Sequence, residues 1–211
     1  MKNKKVTIID YGVGNLLILK RAFEKVDGQV IITNEFKKII NSSYIVLPGV
    51  GAFGNAMKSI NQFNLIEPLK IISDKEIPLL GICLGAQLLL SQSEELGLNK
   101  GIDIIKGKVE SINQFKIEKN IKIPHIGWNI INKGLCKNNF LKQNYFFHQY
   151  YFIHSYYCDP KIKSQICSYT PYGKINFCSS IRKENIFGTQ FHPEKSSLKG
   201  LEILKNIRKL T

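Results

Sequence analysis

Acidic residues are scarce. Only 16 Asp and Glu stand against 30 Lys and Arg in 211 residues, a formal net charge of +14. Such a surplus invites a nucleic-acid reading. The basic residues, however, are almost all lysine and run along the whole chain, with no tight cluster beyond Lys2–Lys5. Alanine is scarce too, at positions 22, 52, 56 and 86 alone, while Ile, Lys and Asn abound. The charge therefore reads as a global compositional bias, and no nucleic-acid partner is expected. Steering of an anionic substrate or an acidic partner is compatible with it. Cysteine is sparse, odd in number and unclustered: Cys83, Cys136, Cys158, Cys167 and Cys178. That excludes a disulfide framework and points to reduced thiols in a cytosol. Long hydrophobic runs are missing. Val6-Thr7-Ile8-Ile9 stops at Asp10, too short for a leader-peptide core, and no stretch approaches membrane-spanning length. A cytoplasmic chain with no membrane partner is expected. His148, His154 and Cys158 match no common zinc spacing, so no metal is expected, and no cofactor either. Repeats, low-complexity tails and linkers are absent, and the length suits one domain over residues 1–211.

What the chain does have centres on residues 81–89. Pro78-Leu79-Leu80 reads as a buried strand, Gly81-Ile82-Cys83-Leu84-Gly85 as a sharp turn, and Ala86–Leu90 as the start of a helix. Strand, turn and helix with one reactive residue at the turn make a nucleophile elbow, with Cys in the place of Ser. A helix N-terminus beneath the sulfur favours thiolate, and the glycines let helix and strand approach. A buried Cys in an ordinary strand-to-helix loop has the same pattern. The run Gly188-Thr189-Gln190-Phe191-His192-Pro193-Glu194 follows the strand-like Asn185–Phe187. A thiolate nucleophile needs an imidazole to carry its proton, and the imidazole needs a carboxylate to hold its tautomer. His192 and Glu194, two apart around a rigid Pro, can supply both, although a surface turn reads the same way in isolation.

Strands are expected at Lys4–Asp10, Val30–Thr33 and Tyr44–Leu47, with a helix over Leu16–Val26, whose positions 16, 19, 23 and 26 are apolar. Gly12-Val13-Gly14 follows the first strand, but Leu17 stands where a dinucleotide fingerprint needs a third glycine. Pro48-Gly49-Val50-Gly51-Ala52-Phe53 precedes a helix at Asn55–Ile60 and offers backbone N–H groups to an anion; a plain tight turn is the other reading. Alternating strands and helices through residue 93 imply a doubly wound, mostly parallel α/β sheet. Ile102–Ile112, Ile121–Asn132, Tyr145–Tyr157, Gln165–Thr170 and Lys174–Ile181 read as antiparallel strands added to that sheet. Phe115–Asn120 and Asn132–Asn144 read as loops, and Lys195–Leu210 as a closing amphipathic helix.

The elbow and the His-Pro-Glu run, in this order, resemble a class I (triad) glutamine amidotransferase. Asp10–Asn15, Leu47–Phe53, Pro124–Asn129, Tyr151–Tyr156 and Gln190–Ser196 together resemble the glutaminase subunits of imidazole glycerol phosphate synthase, over essentially the whole chain. Ala86 departs from that pattern, where Met is common. The resemblance implies that Cys83 attacks the side-chain amide of glutamine, that His192 acts as base and then acid, and that Glu194 orients His192. Leu84 and the Val50–Gly51 region would supply oxyanion N–H groups. Gln87, Glu95, Tyr151, His154 and Ser155 would hold glutamine. Ammonia would pass to a (β/α)₈-barrel cyclase subunit, with Asn15, Trp128 and Lys195 at the interface, and the products would serve histidine biosynthesis. A paralogue feeding ammonia to a sugar-amidating synthase of surface polysaccharide biosynthesis has the same residues, because none of them touches the acceptor.

Overall fold

A computed structural model describes residues 5–26, 28–115, 122–137 and 140–209. Its first half alternates: β1 (Val6–Ile9), α1 (Leu16–Lys25), β2 (Val30–Thr33), α2 (Phe36–Ile40), β3 (Tyr44–Leu47), α3 (Phe53–Gln62), α4 (Ile66–Asp74), β4 (Leu79–Ile82) and α5 (Leu84–Leu88). Strands then dominate: β5 (Leu90–Ser93), β6 (Asn99–Lys100), β7 (Ile105–Ser111), β8 (His125–Ile130), β9 (Asn132–Lys133), β10 (Gln149–His154), β11 (Tyr156–Pro160), β12 (Ile166–Tyr172), β13 (Ile175–Lys183) and β14 (Ile186–Thr189). A 3₁₀ turn over Pro193–Lys195 leads into α6 (Ser197–Lys209).

The central sheet runs β2-β1-β3-β4-β14-β13-β12-β9, parallel from β2 to β14 and antiparallel beyond. Strands β1, β3, β4 and β14 are buried at every position, as expected of parallel strands covered on both faces. This explains why their sequences are continuous apolar runs rather than alternating ones. Helix α1 packs against α6, and α3 against α5.

Of the described strands after residue 100, β9, β12, β13 and β14 join the central sheet, β14 in parallel beside β4. β8 and β10 form a separate antiparallel pair, and β11-β7-β5-β6 a second small sheet. The run Tyr145–Tyr157 breaks at Ser155, which is where the chain passes from one small sheet to the other. The elbow helix is also shorter than expected, ending at Leu88. The carbonyls of Leu88, Leu89 and Leu90 accept N–H groups of Ile102, Asp103, Ile104 and Ile105, so the segment leading into β7 takes the bonds a longer helix would need. The loop expected at Phe115–Asn120 falls, after Phe115, outside the described residues, as do Ile121 and Leu210.

Candidate active site

The parallel register sets the site. Ile82 at the end of β4 lies beside Thr189 at the end of β14, so Cys83 and the segment after Thr189 leave the sheet together at its carboxyl edge. Cys83 then turns with φ 53° and ψ −112°, a conformation a non-glycine residue keeps only when its surroundings over-determine it. Its N–H donates to Thr189 O at 2.7 Å. The first turn of α5 presses against the loop after β3. A Cβ at Gly85 would lie 1.9 Å from Leu47 O, and one at Gly49 would lie 2.6 Å from Gly85 N. Both positions therefore require glycine. The buried Tyr11 hydroxyl donates to Pro48 O at 2.5 Å and braces the same loop from below. With only five residues, α5 has a small dipole, and the sulfur depends more on its individual neighbours.

His192 is one of those neighbours. Its N–H donates to Tyr151 O at 2.9 Å, and its carbonyl accepts the Ser196 hydroxyl at 2.6 Å; the same hydroxyl accepts the Tyr151 N–H at 2.9 Å. This three-way clamp ties the His-Pro-Glu segment to β10. Nδ1 of His192 lies 2.7 Å from Oε1 of Glu194, with both side chains buried. Burial alone would disfavour the imidazolium, but hydrogen bonding and charge from Cys83 and Glu194 outweigh it and raise the ring's pKa. Nε2 is buried and makes no well-aligned hydrogen bond, although the Cys83 sulfur is close enough to be a main influence on the ring. A thiol, an imidazole and a carboxylate thus stand in sequence, able to move one proton.

Beside Cys83 lies a cavity of about 280 Å³, lined in part by Val50, Gly51, Leu84, Gln87, Glu95, His154, Ser155 and Lys195. All eight were singled out from the sequence. Gln87 Nε2 donates to Tyr156 O at 2.8 Å and to Gln190 Oε1 at 3.0 Å. Glu95 Oε2 accepts the Phe53 N–H at the start of α3, at 2.7 Å. His154 Nδ1 donates to Tyr156 O at 2.8 Å, and its Nε2 faces His125 Nδ1 at 3.1 Å. Burial among aromatic rings pushes His154 down to about 3 and His125 down to about 4, so both are neutral at pH 7.

Tyr151 sits differently from expectation. Along β10 the positions of Tyr150, Phe152 and His154 are buried, and that of Tyr151 is turned outward. Its ring meets Trp128 at 6.0 Å and the Lys195 ammonium at 5.8 Å, and its carbonyl, rather than its side chain, serves the site through His192. Asn15 caps α1 by accepting the Ile18 N–H at 3.2 Å, and Trp128 is half exposed. Sequence reasoning passed over Gln190, Tyr11 and His125, each inside a run that carried the resemblance. His148 is exposed, and among the described residues no three His, Cys, Asp or Glu side chains gather as metal ligands.

Residues 7–209 match the family model described as glutamine amidotransferase class-I. The chain belongs to that family. Among curated relatives, this amidotransferase is 43% identical over 205 residues to "Imidazole glycerol phosphate synthase subunit HisH" of Chlorobium chlorochromatii, covering 97% of this chain and 100% of the other. It is 39% identical to the protein of the same name from Moorella thermoacetica, covering 98% of this chain and 95% of that one. The amidotransferase fold recurs in more distant solved structures. "PurLQS from Thermotoga maritima" superposes with a TM-score of 0.70 at 15% identity, over 99% of both chains. A putative GMP synthase protein from Thermoplasma acidophilum gives 0.70 at 17% identity, over 100% of this chain and 94% of that one. Among the described residues, no helix of the amidotransferase is long and apolar enough to cross a membrane.

Proposed function

We propose that this chain is the glutaminase subunit of an imidazole glycerol phosphate synthase. The observation that carries this reading is the end-to-end match, 43% identity across 97% of the chain, to a relative of that name. The site supplies the chemistry. Cys83 Sγ attacks the side-chain amide carbon of glutamine, while its proton passes to His192 Nε2. The carbonyl electron pair moves to oxygen, where the Leu84 N–H and an N–H of Val50 or Gly51 meet it. His192⁺ returns the proton to the leaving amine and ammonia departs. Water, deprotonated by the same ring, then hydrolyses the thioester and restores the thiol.

Substrate recognition follows from which polar atoms remain uncommitted. Gln87 has spent Nε2 on Tyr156 and Gln190, which leaves its Oε1 to accept from glutamine. Glu95 has one oxygen on Phe53, which leaves the other for the α-ammonium group. His154 and Ser155 complete the wall. No metal or cofactor is required by these steps.

Free ammonia is protonated in water, so a synthase must receive it under cover. Next to the cavity mouth, β8 and β10 present a continuous apolar rim: Ile126 pairs with Ile153 and Trp128 with Tyr151. Val50, Ile126, Trp128 and Ile153 are 43%, 56%, 48% and 40% exposed. A (β/α)₈-barrel subunit seated here would cover that rim, with Lys195 reaching it from above Tyr151. The ammonia would enter the barrel and react with its sugar-phosphate intermediate. The test is to mix the chain with such a cyclase and its ribulose-phosphate ligand and to measure glutamate release. Strong stimulation is expected. No change on adding partner and ligand overturns the assignment.

A further inference from the structure

Gln190 has no role in the steps above, yet it lies against the nucleophile. It is buried at the end of β14, its N–H held by Ser179 O at 2.9 Å. The two ends of an amide have the same shape, so the end that faces the sulfur must be decided by its partners. Tyr156 O, a backbone carbonyl, can only accept. Gln87 approaches it at 2.8 Å and so presents Nε2 there. The same Nε2 lies 3.0 Å from Gln190, which must therefore answer with Oε1. The other end of Gln190, Nε2, is then the atom 3.6 Å from Cys83 Sγ.

The neighbouring network agrees in polarity. Tyr156 O takes a second hydrogen bond from His154 Nδ1, leaving His154 Nε2 to accept from His125 Nδ1. His125 Nε2 accepts from Asn129, whose Nδ2 also donates to Pro171 O at 2.8 Å. Two backbone carbonyls thus orient every side chain between them.

We infer that Gln190 is a catalytic residue of the glutaminase reaction, donating Nε2–H to the Cys83 sulfur, and that Gln87 locks its amide in that sense. The inference rests on the glutaminase reading of Cys83. A donor to sulfur favours the thiolate over the thiol, and more strongly in a buried site than in water. It acts at both ends of the cycle. On attack, the thiol proton goes to His192 and the sulfur pair forms the bond to carbon. On thioester hydrolysis that bond breaks, the pair returns to sulfur, and the proton comes back from His192. In both steps Gln190 stabilises the charged sulfur without moving a proton itself.

The test uses the full chain and iodoacetamide. Cys83 carbamidomethylation is followed by peptide mass from about pH 5 to 9, where thiolate controls the rate. In Gln190→Leu and Gln190→Glu the rate at neutral pH should fall about tenfold or more, the loss expected for a hydrogen bond to a charged group. The midpoint of the rate profile should move to higher pH. Gln87→Leu, which removes the lock and leaves the donor, should show a smaller fall. In the complex, kcat for glutamine should fall while KM changes little in the Gln190 variants. Gln190→Glu keeps the shape and an acceptor for Gln87, so it decides the matter should Gln190→Leu melt early. Folded variants with the wild-type alkylation profile overturn the inference. A wild-type complex that never consumes glutamine overturns the functional reading instead, whatever the alkylation profiles show.

Discussion

Nδ1 of His192 and Oε1 of Glu194 are 2.7 Å apart, two residues from each other around Pro193. A carboxylate only accepts, so Nδ1 carries a proton and Nε2 is the nitrogen left to exchange one with Cys83. Removing the carboxylate frees the other tautomer. Glu194→Ala should therefore lower kcat for glutamine hydrolysis in the complex by roughly 10³–10⁴-fold, as loss of the orienting acid does in comparable triads. Steady-state kinetics would contradict this if KM rose and kcat held.

His125 and His154 should make the protein acid-sensitive. Burial, the first cause for each, holds them near 4 and near 3 in the folded chain, against 6.5 unfolded. The unfolded chain takes up protons that the folded one refuses, so this stability is present above pH 6.5 and lost as pH falls toward 4. At its steepest, two such groups give a slope of about 2.7 kcal/mol per pH unit. His192 works in another window: its raised pKa keeps its contribution intact below 6.5 and loses it only as pH climbs. Urea unfolding across the acid range should show the decline, with the two imidazoles remaining neutral by NMR until near its end. A flat free energy down to about pH 5 contradicts the assignment.

Gly85 should not tolerate even a methyl group. The added carbon would sit 1.9 Å from Leu47 O, a backbone atom with no rotamer to change. Gly85→Ala should cost about 2–3 kcal/mol or more in urea unfolding and displace the elbow enough to abolish activity. An unchanged midpoint would mean that the helix and the loop after β3 are not in this contact.

Trp128 separates docking from folding. It is 48% exposed and meets Tyr151 edge-on, so Trp128→Ala should cost under about 1 kcal/mol of stability. Loss of an exposed aromatic anchor should weaken binding of the barrel subunit by about 2 kcal/mol, roughly thirtyfold. Calorimetry and urea unfolding on one sample read both quantities. A large loss of stability with unchanged affinity would make Trp128 a core residue.

Much of this was legible without coordinates. The apolar runs Val30–Thr33 and Tyr44–Leu47 are strands over those same residues; Tyr44–Leu47 is buried at every position, as an uninterrupted apolar run predicts, whereas Val30–Thr33 is the edge strand with only Thr33 buried. The switch from helix to strand between Leu88 and Leu90 was not legible, since residues buried all round show neither helical nor strand periodicity. Tyr151 was legible in part. Once Gln149–His154 is a strand, parity puts Tyr151 and His154 on opposite faces, and the Tyr151 ring turns to Trp128 and Lys195. Gln190 was invisible, because a glutamine's role depends on which end its neighbours turn outward, and those neighbours come from β11 and α5.

The most direct measurement compares two nitrogen sources in the assembled complex. With Cys83→Ala, product formation from glutamine should vanish, while formation from ammonium salts should continue at the rate of the unmodified complex. Glutamine-dependent synthesis surviving in Cys83→Ala would contradict the account, for it would place the amide-cleaving nucleophile somewhere else.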